Sequence, residues 1–204
     1  KKNNRDGPHL IYLPEFAFSS QSFLKNIKQI FNKYGRCVIA VSEGIQNKNK
    51  KLISQEISKT QEYDAHGNIQ LSGSGSLGDF LANKIKTKLK LPRVRADTLG
   101  YPQRSFLGST SEVDQKEAFE IGKFAVRKSR QVISSFSAGI KERKILSRPY
   151  KVLFTINSLA EVAGQTKVMS KKFYNYKQNF ITKEFVNYAL PLIGKKIINT
   201  KSII

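Results

Sequence analysis

Residues 10 to 41 read strand, helix, strand, and no other stretch restricts the folding of the chain as much. Leu10-Ile11-Tyr12-Leu13 is a short apolar run closed by Pro14, the pattern of a buried strand that ends in a turn. A helix follows. Ser19 or Ser20 can cap it, Phe23, Ile27, Ile30 and Phe31 recur on one face, and Gly35 supplies a left-handed stop. Cys37-Val38-Ile39-Ala40-Val41 is then a continuous apolar run, as in a strand covered on both faces. Two strands joined so closely by one helix are parallel, with a right-handed crossover. The expected fold class is therefore α/β, a Rossmann-like layered fold with a mainly parallel sheet.

Beyond this unit the pattern weakens and returns. Residues 46 to 78 are polar and without sustained period, so they read as loop with a short helix near Leu52 to Ile57. Gly73, Gly75 and Gly78 satisfy G-x-G-x-x-G ahead of a helix from about Leu77 to Leu89, with Phe80, Leu81, Ile85 and Leu89 on its inner side. The preceding Asn68-Ile69-Gln70-Leu71 is a poor strand, so the nucleotide fingerprint lacks its context and a flexible loop with a helix start is expected. Arg93 to Leu99 alternates as a strand that sends Arg93, Arg95 and Asp97 to one side, and Gly100 ends it. Ser111 or Thr110 caps a long helix running to about Ser135, with Val113, Ala118, Ile121, Ala125, Val126 and Val132 as its apolar stripe. Tyr150 to Ile156 reads as a further strand. Thr182 caps a last helix from Lys183 to about Ala189, ended near Pro191 and followed by a frayed tail.

Composition removes several classes of function. With 204 residues, 39% of them hydrophobic, the chain can bury a core and is not disordered. The net charge of +21 is large, yet the lysines are scattered, and no basic region with heptads, zinc-finger spacing or aromatic RNA-binding signature accompanies them. Nucleic acid is thus not expected as the main partner, whereas a positive field draws in small phosphorylated ligands. The single cysteine, Cys37, lies in an apolar run, which points to a buried structural thiol and excludes a disulfide framework or a cysteine zinc site. A reducing cytoplasm fits this. No apolar stretch approaches the ~18 residues of a membrane span. The chain opens on Lys1 rather than methionine, and is expected to be cut from something longer.

Open α/β sheets bind ligands beyond the carboxyl ends of their strands. Two such ends carry chemistry here. Val41-Ser42-Glu43-Gly44 delivers a carboxylate beside a glycine, and the segment from Arg95 to Arg104 carries a guanidinium at each end. Two guanidiniums can grip a phosphate dianion by forked, charge-assisted bonds, while a carboxylate accepts hydrogen bonds from sugar hydroxyls. The combination suggests a sugar phosphate; for each residue alone, a solvated strand end or a structural ion pair is the competing reading.

The segments Gly7 to Glu15, Gly35 to Gly44 and Arg93 to Phe106 are similar in order and spacing to the carboxyl-terminal half of phosphofructokinases. Asp64 to Leu71 and Ser111 to Asp114 with the helix after it also fit, and the resemblance extends to about Met169. The Tyr101-x-x-Arg104 form of the last motif looks like the pyrophosphate-dependent branch, ATP-dependent bacterial members usually having histidine at the first position. Pro102 departs from the leucine expected inside that motif and fixes φ near about −65°. The resemblance implies that Glu43 hydrogen-bonds hydroxyls of the fructose ring and that Tyr101 and Arg104 hold the 6-phosphate. It also implies that Arg95 reaches the phosphate across a subunit interface in a homo-oligomer. Residues 1–170 would form the fructose 6-phosphate-binding region, the C-terminal part of the phosphofructokinase fold, and residues 171–204 a helix and tail.

Phosphoryl transfer also needs a cradle for the donor phosphates, metal-binding carboxylates and a base. In the family these come from a glycine-rich loop, a Thr-Ile-Asp-Asn-Asp-like catalytic loop and a Met-Gly-Arg motif, none of which occurs in the 204 residues. The expectation is a fragment of a 6-phosphofructokinase of glycolysis, using pyrophosphate or ATP with Mg2+ whose ligands lie elsewhere, and inactive by itself. A non-catalytic sugar-phosphate-binding or regulatory module is the alternative, and a basic nucleic-acid-binding domain a weaker one.

Overall fold

A computed structural model describes residues 7–57, 76–100, 110–132, 134–144 and 150–194. In chain order the elements are β1 (Leu10–Tyr12), α1 (Ser20–Tyr34), β2 (Ile39–Val41), α2 (Ile53–Ile57), α3 (Ser76–Leu89) and α4 (Glu112–Ser129). The hairpin β3 (Phe136–Lys144) and β4 (Lys151–Ser158) follows, then α5 (Leu159–Val162), a 3-10 turn at Lys171–Phe173, β5 (Tyr174–Asn175), β6 (Phe180–Ile181) and α6 (Lys183–Ile193). They form two compact units, Lys1–Ser105 with Tyr174–Ile181, and Phe106–Phe173 with Thr182–Ile204.

The first unit contains the βαβ motif. β1 and β2 pair in parallel, Leu10 opposite Ile39 and Tyr12 opposite Val41. Ser19 caps α1, its hydroxyl accepting from the Ser22 amide, and Gly35 ends the helix at φ +70, where L side chains are strained. Phe23 and Ile27 are the residues of α1 that are sealed, packing with Leu10, Tyr12 and Phe18 and with Leu77, Leu81 and Ile85 of α3. Lys84 on α3 donates to the Ser20 hydroxyl at the start of α1 (2.8 Å). β2 differs from the expectation: it is only partly buried on one face and exposed at Ala40, because a two-stranded sheet covers one face only. Cys37 is correspondingly half-buried. β5 and β6 form a small antiparallel ribbon joined to β1 through the Ile11 amide, which donates to the Asn179 carbonyl (2.8 Å).

The second unit is built on the β3–β4 hairpin, whose register slips between Ile140 and Glu142 and leaves Lys141 as a bulge. Ser111 caps α4 as expected, but the helix stops at Ser129 and the chain turns into a strand at Phe136 that the residue pattern did not announce. The buried residue of α4 is not one of the predicted apolar stripe but Glu117, 6% exposed. Arg143 on β3 donates to it from Nε and Nη2 (3.1 and 3.0 Å), Tyr150 donates to its other oxygen, and Arg143 Nη1 donates to the Tyr188 hydroxyl on α6 (3.0 Å). α6 runs two residues past Pro191, whose missing N–H removes one hydrogen bond near the end of the helix. The α/β class is as expected; the parallel pair is β1–β2, and the other two sheets among the described residues are antiparallel.

Candidate functional site

Glu43 is delivered by β2. The ladder continues one residue past Val41, since the Ser42 amide donates to the Tyr12 carbonyl (3.0 Å). The chain then turns, with the Gly44 amide on the Ser42 hydroxyl (3.2 Å) and the Ile45 amide on the Ser42 carbonyl (3.3 Å). Ile45 is completely buried, and the Phe18 amide holds the next residue through the Gln46 carbonyl (2.7 Å). Glu43 therefore stands at the tip of a turn fixed on both sides, with its side chain partly exposed.

Arg95 arrives differently. Residues 91–99 form no regular element and pair in no ladder among the described residues, so the strand expected from their alternation is not formed. Leu91 and Val94, three residues apart, pack on the core, and Arg93 and every residue from Arg95 to Leu99 are exposed, so the expected alternation does not appear in the burial. Gly78, in the first turn of α3, holds this segment close: a Cβ there would lie 3.3 Å from Ala96 Cβ and from Thr98 Oγ1. The third glycine of the G-x-G-x-x-G pattern thus serves close helix-to-chain packing, while Gly73 and Gly75 lie outside the described residues.

Glu43 and Arg95 both line one cavity of about 1680 Å³ that runs along β2 from Gly35 to Gly44. Arg36, Arg93, Ser42 and Thr98 share its wall, and so does Gly100, at φ +54 the last described residue before the Tyr-x-x-Arg motif. Tyr101 and Arg104 lie outside the described residues. Guanidinium groups and a carboxylate on one wall can bind an anion and hydroxyl groups together. Arg93 was legible only as a neighbour of Arg95 in the alternation; Arg36 and Thr98 carried no local signal. Cys37 also lines the cavity, and burial pushes its thiol up to about 11, so it remains protonated and is not a nucleophile. Among the described residues no three His, Cys, Asp or Glu side chains gather that could hold a metal ion. No helix among them is long and apolar enough to cross a membrane.

A parallel βαβ unit with a charged cavity along it places the chain in the open α/β class. The phosphofructokinase family profile matches residues 5–128, and the chain belongs to that family. It is 42% identical over 195 residues to the pyrophosphate–fructose 6-phosphate 1-phosphotransferase of Rhodospirillum rubrum, covering 96% of this chain and 47% of the relative. The protein of the same description from Xanthomonas campestris is 31% identical over 188 residues, covering 92% of this chain and 43% of its own length. The crystal structure of the pyrophosphate-dependent phosphofructokinase from Nitrosospira multiformis superposes with a TM-score of 0.71 at 26% identity, covering 97% of this chain and 44% of that one. The chain thus spans about half the length of the relatives it matches.

Proposed function

We propose that this chain supplies the fructose 6-phosphate side of a pyrophosphate-dependent 6-phosphofructokinase. The observation that carries the reading is that Glu43 stands on the turn that follows β2, on the wall of a cavity, in a chain of this family. Glu43 accepts hydrogen bonds from ring hydroxyls. Arg104 and the Tyr101 hydroxyl hold the 6-phosphate. Arg95, which is exposed, reaches a phosphate bound by a neighbouring protomer of a homo-oligomer. These groups bind and orient the sugar and neutralise its phosphate. The base that takes the proton from the attacking hydroxyl, the donor cradle and the Mg2+ ligands belong to segments with motifs that these 204 residues do not contain.

Calorimetric titration of the purified chain with fructose 6-phosphate tests this. Binding is expected for fructose 6-phosphate and not for fructose. Losing one charge-assisted contact costs about 1.5–3 kcal/mol, so Arg104→Ala should weaken it by roughly 10- to 150-fold, with Glu43→Gln intermediate. Equal heats from the wild type and Arg104→Ala would remove the assigned site. With pyrophosphate or ATP present, no fructose 1,6-bisphosphate should form, and measurable product would overturn the assignment of the catalytic groups elsewhere.

A further inference from the structure

The lysines are spread along the sequence, but folding gathers several of them on one surface. The residues of α1 exposed to solvent are Gln21, Ser22, Lys25, Lys28, Gln29, Asn32 and Lys33, which recur at helical spacing on the side away from the buried Phe23 and Ile27. All are lysines, amides or a hydroxyl. The helix holds no aspartate or glutamate, and no carboxylate pairs with its lysines among the described residues. Lys33 Nζ stands 5.1 Å from the centroid of the Tyr34 ring, which steadies the last ammonium of the row. α3, packed beside α1 and tied to it by Lys84, adds the exposed Lys86 and Lys88 in its last turn, with Asp79 as its one acidic residue. The surface is separate from the Glu43 cavity, to which α1 gives only the apolar Phe23, Ile27 and Phe31.

The chemistry of the face selects its partner. No large hydrophobic of α1 or α3 is exposed, because their apolar sides are sealed in the core. A helix that binds a lipid surface buries apolar side chains there, and a protein hot spot or a single-strand platform offers exposed aromatic rings. α1 presents instead a row of ammonium and amide donors, which suits phosphate oxygens. Lys25 to Lys33 spans about 12 Å of helix, along which a duplex carries a phosphate every ~1.7 Å of its axis. The net charge of +21 supplies the long-range attraction for such a polyanion. We propose that the outer face of α1 is a sequence-independent docking surface for the phosphate backbone of a nucleic-acid duplex, with Lys25, Lys28 and Lys33 on phosphates and the amides of Gln21, Gln29 and Asn32 between them.

Fluorescence anisotropy of a labelled DNA duplex of about 20 base pairs and arbitrary sequence, titrated with the whole chain at about 50 and about 200 mM salt, tests the proposal. With about three or four phosphates neutralised, affinity should fall roughly 40- to 150-fold between the two salts. Lys25, Lys28 and Lys33 are exposed, so Lys25→Gln, Lys28→Gln and Lys33→Gln together leave the fold intact. The triple variant should flatten the slope of log affinity against log salt by about 2 to 3 and weaken binding at low salt at least about tenfold. Lys116→Gln, Lys141→Gln and Lys151→Gln, at exposed lysines of the second unit, remove the same charge and should change the slope by less than about one. No binding of the duplex at low salt overturns the proposal. An equal loss from the two triple variants does so too, since attraction would then follow net charge alone. Binding to vesicles of equal parts phosphatidylcholine and phosphatidylserine that is tighter than to the duplex, and lost with Lys25, Lys28 and Lys33, overturns it in favour of a lipid surface.

Discussion

Glu117 shows at the scale of one residue how a charge is kept inside a small unit. A carboxylate without partners in an apolar setting would be neutralised or expelled, and here Arg143 and Tyr150 occupy both of its oxygens. The effect on Tyr150 has a definite sign. Burial first, and the hydrogen bond to Glu117 second, push the tyrosine from 10.0 up to about 12. The folded chain keeps that proton where the unfolded chain has begun to release it. The contribution to stability is thus complete below pH 10 and is lost as the pH rises from 10 towards 12. Tyr150→Phe should lower the melting temperature at pH 8 and flatten its fall between pH 10 and 12. Tyr12 and Tyr174, also raised by burial, titrate in both proteins, so the difference isolates Tyr150. Parallel pH curves for the two would contradict this account.

Among the elements, α4 and α6 are joined by one hydroxyl. Ser111 accepts the Asp114 amide (3.2 Å) as the cap of α4 and donates to the Leu192 carbonyl near the end of α6 (2.5 Å). Ser111→Ala removes both bonds and should cost about 1–2 kcal/mol in denaturant unfolding, with Ser111→Thr restoring most of it; an alanine variant as stable as the wild type would show the cap to be idle. Caps of this kind make the helices legible in the sequence: Ser19, Ser111 and Thr182 stand where their residue types place them, and so does the Gly35 stop. β3 was not legible, because in Phe136 to Lys144 the alternation dissolves into Lys-Glu-Arg-Lys and the bulge at Lys141 breaks its period. Arg93 to Leu99 failed in the opposite sense: the residues alternate in type, but they have no partner strand among the described residues and all of 95–99 are exposed. At the candidate site Glu43 was legible as a carboxylate delivered directly after an apolar run, and Arg95 from the charged positions of Arg93 to Leu99. Phe16 and Tyr174 could not be paired in advance, since only the fold brings them together.

Across the whole chain the two units differ in how they are held. Every buried hydrophobic among the described residues belongs to the first unit, while in the second only Glu117 is buried. Phe119, Val126, Leu190 and Ile193 of the second unit are largely exposed. Opening free energies follow buried apolar contact, so amides of α1 and β1 should exchange hydrogen more slowly than those of α4 and β3–β4. Exchange read by mass spectrometry in the reverse order would contradict this ranking. The second consequence concerns the order in which the chain is made. Tyr174–Ile181 belongs to the first unit although it follows most of the second, and it supplies the stack on Phe16 and the bond to Ile11. The first unit therefore cannot finish folding behind its own last contiguous residue on the ribosome. It must wait, with the face of Phe16 open, until residues 174–181 have emerged.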